Sequence, residues 1–289
     1  MPPYRDKHIG FYDKSFQETK TEDYILSILI GSQDFVFTLY HPEKRTFIGF
    51  EKYPFGELKN ARSIDSGLSE LLKKRYWLDS SFYQINVIYD NDLNTLIPLS
   101  LFIEKERSVY LRFNHPGQKD NSAEYDLLKN LEMANVYYMP VQAINKAVEL
   151  WPETRFYHYS SVLLQSLAIN YKNKTEDNKL FVNLREGVFD VVNFKTGKLN
   201  FYNAFRYKSD EDFIYFLLAT IEQLKLNPED VGVILSGNIE KGDPKYEMVY
   251  RYIRHFEYIE RNETFRYSYV MEELGFPKYY VLFNVIQCE

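Results

Sequence analysis

The sequence predicts an α/β protein built from two similar halves in tandem. Three observations carry this. The order strand, strand, strand, helix, strand, helix runs from Tyr24 and starts again at Lys179. Aromatic residues make up 17% of the 289, with 26 Tyr and 22 Phe, and these types favour pleated, half-buried surfaces. Val231-Gly232-Val233-Ile234-Leu235 is too apolar for a strand with one wet face and suits a buried central strand.

Residues 1–22 read as a leader, with no periodic pattern before Thr21. Tyr24 to Ile30 is an apolar strand, Gly31-Ser32-Gln33 turns, and Asp34 to Tyr40 returns. Pro42 and Lys44 mark the next turn, and Thr46 to Phe50 makes the third strand. Ser63 is placed to cap a helix whose Ile64, Leu68, Leu71 and Leu72 fall at helical spacing. Tyr83 to Tyr89 is the fourth strand, ending in the acidic loop Asp90-Asn91-Asp92. Pro98 fits the first turn of a short helix through Leu99, Phe102 and Ile103. Val109 to Phe113 is expected as a strand, His115 to Ser122 as a loop or insertion, and a helix around Leu127 to Leu131. Val136 to Met139 is strand-like and Gln142 to Leu150 helical; after a short apolar piece from Arg155 to Tyr159, Ser160 caps a helix with Val162, Leu163 and Leu167. The charged turn from Tyr171 to Asn178 divides the halves, giving 23–175, with an inserted segment, and 176–289.

Lys179 to Leu184 opens the second half, the turn Arg185-Glu186-Gly187 follows, and Val188 to Phe194 comes back. Lys195 to Lys198 turns again, and the alternation of Leu199, Phe201 and Phe205 marks one face of a third strand. Ser209 or Asp210 caps a helix carrying Phe213, Phe216, Leu217, Thr220, Ile221 and Leu224, which Asn227-Pro228 stops. Asp243 and Pro244 start the next helix, Tyr258-Ile259 follows, and Tyr280 to Ile286 reads as a last strand. Matching Gly31 to Gly187 offsets the halves by 156 residues.

The composition excludes several classes. Net charge is −6 and the 35 basic residues are scattered, which argues against a nucleic-acid footprint or an anionic membrane surface. Cys288 is the single cysteine, so neither an intrachain disulfide nor a cysteine-based zinc site forms, and its surroundings place it at a strand end. No window reaches the roughly 18 apolar residues of a membrane span, and residues 1–17 lack a signal-peptide core, so a cytoplasmic protein is expected. Asp90 and Asp92 read as an ordinary turn, the five histidines have no ligand spacing, and Lys195-Thr196-Gly197-Lys198 lacks a phosphate-loop context.

The repeated order resembles the actin-like ATPase superfamily, which includes Hsp70-type chaperones and sugar kinases. It is nearest to the pilus-assembly and cell-division members and to an uncharacterised bacterial family with an actin-like ATPase fold. The resemblance spans about Tyr24 to Ile286. It implies duplicated, ribonuclease H-like halves around a central cleft that holds the nucleotide. It also implies an Asp-x-Gly pattern in the first hairpin of each half, where the acids hold the metal and glycine amides approach the phosphates. The first hairpin reads Leu29-Ile30-Gly31-Ser32, with Leu29 for the acid; the second reads Asn183-Leu184-Arg185-Glu186-Gly187, with Asn183 for the acid and Arg185 for the glycine. The adenosine-contacting turn corresponds to Leu235-Ser236-Gly237-Asn238.

Gly31, Ser32, Asn183, Arg185, Gly187, Ser236 and Gly237 are therefore the candidate residues of a degenerate nucleotide cleft. Leu29 cannot ligate Mg²⁺ and Asn183 offers only a neutral oxygen. Arg185 projects toward the phosphate position, where it either blocks an anion or pairs with one. The expectation is a pseudo-ATPase: a nucleotide-independent scaffold or adaptor with a protein partner, no catalytic residue, no resident metal and no cofactor. The alternative is a divergent ATP-binding protein or weak ATPase using ATP and Mg²⁺. Oligomeric state and partner identity are not written in the sequence.

Overall fold

The computed structural model describes residues 8–31, 34–54, 64–174 and 178–288, residues 64–66 by their backbone alone. The expected cap at Ser63 and the turn residues Ser32 and Gln33 lie outside the described residues. Two compact units emerge: one of residues 1–162, 263–274 and 281–289, the other of residues 163–262 and 275–280. The division thus falls inside helix α4 (Tyr159–Tyr171) after Val162, ahead of the charged turn, and residues near the C-terminus return to the first unit.

In the first unit, β1 (Ile9–Tyr12), β2 (Ile25–Ile30), β3 (Asp34–His41), β4 (Thr46–Pro54), β5 (Gln84–Tyr89) and β9 (Arg155–His158) form a sheet in the order β1-β4-β3-β2-β5-β9. The β2-β3-β4 meander is antiparallel, while β2, β5 and β9 run parallel, joined by crossovers that include α1 (Ile64–Lys74) and α3 (Val141–Leu150). One sheet face is covered by Leu26, Ile28, Ile30, Phe35, Phe37 and Leu39, packed with Leu68, Leu71 and Trp77. A second, antiparallel sheet, β6 (Asn94–Pro98), β8 (Met133–Pro140) and β7 (Asn121–Leu128), carries α2 (Arg107–Asn114).

The second unit holds a sheet in the order β12-β11-β10-β13-β14, from β10 (Lys179–Leu184), β11 (Val188–Lys195), β12 (Lys198–Arg206), β13 (Gly232–Gly237) and β14 (His255–Tyr258). Here β10 to β12 form the antiparallel meander and β13 and β14 continue in parallel. Helices α5 (Asp210–Gln223) and α6 (Pro244–Tyr252) bring Phe213, Leu217, Ile221 and Val249 onto Val182, Leu184, Val191 and Val233. Ser209 starts α5 with a capping box: its hydroxyl accepts from the Asp212 amide at 3.2 Å and the Asp212 carboxylate accepts from the Ser209 amide at 3.3 Å.

The stretch β4-β3-β2-β5-β9 of the first sheet corresponds strand by strand to β12-β11-β10-β13-β14. Ile30 ends β2 opposite Phe35 and Tyr89, and Leu184 ends β10 opposite Phe189 and Gly237. The strand registers therefore set the offset at 154 residues (184 less 30), which pairs Gly31 with Arg185 instead of Gly187. Even the β-bulge recurs: the register slips between Leu39 and Tyr40 on β3 and between Asn193 and Phe194 on β11.

Several expected elements change type. Val109 to Phe113 lies within helix α2, and Leu127–Leu128 ends strand β7, followed by a 3-10 turn over Lys129–Leu131. Pro98 closes β6 before a 3-10 turn at Leu99–Leu101. The expected last strand is helical: α7 (Tyr280–Asn284) passes into a 3-10 turn at Val285–Gln287, so Cys288 follows a helical turn. A short run apolar on every side carries no period to separate strand from buried helix. Within the leader, Ile9–Tyr12 is ordered because β4 offers it a sheet edge. Among the described residues, no helix is long and apolar enough to cross a membrane.

Candidate functional site

The candidate residues of the second half meet at the end of the β10–β11 hairpin. Asn183 stands directly opposite Asp190 on one side and Ser236 on the other. Since residues alternate across a sheet, Asn183, Asp190 and Ser236 share one face, and Leu184, Phe189 and Leu235 turn to the helices. The hairpin turn is held by the Arg185 amide donating to the Val188 carbonyl at 2.8 Å and by the Tyr207 amide donating to the Gly187 carbonyl at 3.0 Å. Tyr207 also donates its hydroxyl to the Arg185 carbonyl at 3.0 Å, and burial raises the pKa of that hydroxyl.

Asp190 is the hub. Its carboxylate accepts two hydrogen bonds from Arg185, Nε to Oδ2 and Nη2 to Oδ1, each at 2.9 Å. Asn183 Nδ2 donates to Oδ2 at 3.1 Å, and the Tyr202 hydroxyl donates to Oδ1 at 3.2 Å. Ser236 Oγ then donates to Asn183 Oδ1 at 3.0 Å. Except for half-buried Tyr202 the cluster is buried: Asp190 is 0% exposed, Asn183 1%, Ser236 3% and Arg185 5%. A bidentate guanidinium–carboxylate pair is both strong and orienting, so Arg185 is folded back along its own hairpin. Its side chain lies against Asp190 and does not stand out from the turn.

Two glycines serve the same corner differently. Gly237, last in β13, has φ +81°, and a Cβ there would lie 2.0 Å from the Leu184 carbonyl oxygen. Gly187 has φ +68° with nothing within 4 Å of a would-be Cβ, so only the backbone conformation asks for glycine. In the first half, the Gly31 amide donates to the Asp34 carbonyl at 3.0 Å, and Asp34 pairs with Lys52 at 3.3 Å. The residues corresponding to Asn183, Asp190 and Ser236 are Leu29, Val36 and Ile88, all apolar, with Val36 and Ile88 buried.

Sequence reasoning passed over Asp190, Tyr202 and Tyr207. The available signal was an acid inside the apolar strand Val188-Phe189-Asp190-Val191-Val192, one hairpin away from an arginine. It also passed over two polar clusters of the first unit, one around buried Glu51 and one around half-buried Asp126. Glu51, 0% exposed, takes bonds from His8 at 2.6 Å, from Arg75 at 2.8 to 3.2 Å, and from Tyr12 and Tyr53. Burial acts to raise the Glu51 carboxyl, but these donors outweigh it and hold it below the usual carboxylate range. Asp126 accepts from the His158 amide at 2.9 Å and the Tyr137 hydroxyl at 3.2 Å, and desolvation pushes its carboxyl up to about 6. His158 Nδ1 lies 2.7 Å from Ser160 Oγ and Nε2 lies 3.1 Å from Asn91 Oδ1, inside the same network. Among the described residues, no group of three or more His, Cys, Asp or Glu could hold a metal ion.

A family model described as "Protein of unknown function (DUF3822)" matches residues 13–256. The chain belongs to that family. A protein of unknown function with an actin-like ATPase fold from Bacteroides thetaiotaomicron VPI-5482 is similar with a TM-score of 0.74 and 24% identity, over 84% of this chain and 93% of that one. A chain of the PilM-PilN type IV pilus biogenesis complex is similar with a TM-score of 0.60 and 12% identity, over 91% of this chain and 98% of that one. No match was found among curated proteins. The chain has the actin-like ATPase fold, as the repeated strand order predicts.

Proposed function

We propose that the chain is a nucleotide-independent scaffold or adaptor built on the actin-like fold and acting in the cytoplasm through a protein partner. The observation that carries this is the double hydrogen bond from Arg185 to Asp190. Magnesium bound with nucleotide needs anionic oxygens that can face it, usually one or two carboxylates beside water and phosphate. The acid buried beside Asn183 in the second hairpin, Asp190, is already neutralised by a guanidinium, and Asn183 spends its oxygen on Ser236 and its amide on Asp190. The matching face of the first half presents Leu29, Val36 and Ile88. Neither set of three sheet-face positions thus offers metal an uncommitted carboxylate, which argues against phosphoryl transfer there. A chain of this fold occurs in a two-protein pilus biogenesis complex, which agrees with a partner-binding role without specifying one.

Thermal unfolding of the whole chain with millimolar ATP or ADP, with and without Mg²⁺, tests this reading. The expected result is no shift in any condition. Ligand at 100 times its dissociation constant would stabilise by about 2.7 kcal/mol, a shift of a few degrees in a protein of this size. A Mg²⁺-dependent shift of that kind overturns the proposal in favour of a divergent ATP-binding protein.

A further inference from the structure

The two halves differ in how their outer strands end. In the first unit β4 is covered: β1 lies antiparallel along it, with Ile9 opposite Lys52 and Tyr12 opposite Gly49. A short strand, β15 (Arg266–Tyr267), extends that cover in parallel opposite Thr46 and Phe47. The second unit repeats the strand order and the bulge, and β12 takes the place of β4. Yet β12 ends its sheet, and among the described residues no strand pairs with its outer side. It is nine residues long, with Lys198, Asn200, Asn203 and Arg206 exposed. An outer strand of this kind turns alternate backbone N–H and C=O groups outward, a template for one more strand.

The chemistry of the edge narrows what fits. Lys198–Arg206 contains no acid and has a base at each end. We propose that β12 is an acceptor edge for an extended segment of a protein partner, which adds as an antiparallel sixth strand with carboxylates at its two ends. Tyr53 and Phe205 correspond by register, so the stretch β1 covers on β4, Gly49–Lys52, answers to Phe201–Ala204 on β12. A strand centred on that stretch leaves Lys198 and Arg206 to flank it and meet its acidic ends. A second copy of the chain fits poorly, because antiparallel self-pairing centred on Tyr202 sets Lys198 of each copy against Arg206 of the other. Like charges directly opposite destabilise a strand pair, so the same two bases that select an acidic strand disfavour a dimer. The proposal stands whether or not nucleotide binds, and its failure would leave the thermal test above unaffected.

The test uses the full chain and a fluorescein-labelled peptide of alternating Val and Thr flanked by two Glu at each end. Anisotropy reads affinity and hydrogen exchange reads the place. The expected result is saturable binding with exchange slowed across 198–206. Binding should weaken by about tenfold or more when the flanks are Lys, or when alternate peptide amides are N-methylated and cannot pair with the edge. Lys198→Glu, an exposed change that leaves the core untouched, should reverse the preference between Glu and Lys flanks. No binding, protection confined to another segment, equal binding of the N-methylated peptide, or a concentration-dependent dimer protecting 198–206 would each overturn it.

Discussion

The β2–β3 hairpin of the first unit and the β10–β11 hairpin of the second share a backbone plan and differ in chemistry. Where the second carries Asn183, Asp190 and Ser236 the first carries Leu29, Val36 and Ile88, and where the second has Arg185 the first has Gly31. One set of register neighbours is wholly apolar and the other holds a hydrogen-bonded ion pair. The same register therefore tolerates either solution, provided every polar group that is buried also finds a partner. A buried acid in this hairpin is not by itself a remnant of metal binding, since Asp190 is answered by residues of its own sheet.

The largest expected effect breaks that pairing. Arg185→Ala leaves the Asp190 carboxylate buried without its cation and should cost about 3–5 kcal/mol in urea unfolding. Copying the first unit with Asn183→Leu, Arg185→Gly, Asp190→Val and Ser236→Ile removes both sides of the pair and should give a more stable protein than Arg185→Ala alone. A quadruple variant that is weaker still would end the claimed equivalence of the two hairpins. Next comes Gly237→Ala, whose Cβ would meet the Leu184 carbonyl at 2.0 Å. It should cost more than about 2 kcal/mol, whereas Gly187→Ala, with open space around it, should cost only about 1 kcal/mol. The first unit puts Tyr89 where Gly237 stands, so the strain belongs to the second unit alone.

The remaining predictions concern two acids of the first unit away from its hairpin, half-buried Asp126 and buried Glu51. Asp126 has its carboxyl raised to about 6 from an ordinary value near 3.8. Between those values the folded chain binds the proton that the unfolded chain has released, so this group makes stability fall as pH rises from about 4 to 6. Asp126→Asn should flatten that slope and raise stability at pH 7 by about 1–2 kcal/mol. Glu51 has the opposite sign. Its folded carboxyl is depressed, so its contribution is present above the ordinary glutamate value and is lost as pH falls through the folded one. Glu51→Gln should remove this loss in acid unfolding titrations, the smallest effect of the set; an unchanged acid limb would show that the His8, Tyr12, Tyr53 and Arg75 donors do not favour the charged form.

The candidate site was legible in part. The hairpin around Arg185, the capping serine Ser209 and the buried strand Val233–Leu235 could be placed because each rests on neighbours within a few residues. Arg185's direction could not. A guanidinium on a flexible stem goes to whichever carboxylate the sheet brings near, and Asp190 is near only once β10 and β11 are in register. The same applies to Glu51, whose donors come from residues 8, 12, 53 and 75.

Sequence alone was enough for the strand-strand-strand-helix-strand opening of each half, because side-chain period follows from local backbone geometry. It also determined that no carboxylate stands at Leu29 or Asn183. Tertiary structure alone decided that Ile9–Tyr12 becomes a strand, that Tyr280–Asn284 becomes a helix, and that the halves align through Ile30 and Leu184 instead of two glycines. Those outcomes depend on long-range pairing. A four-residue segment or an all-apolar run has no period of its own, and the surface available to receive it settles its shape.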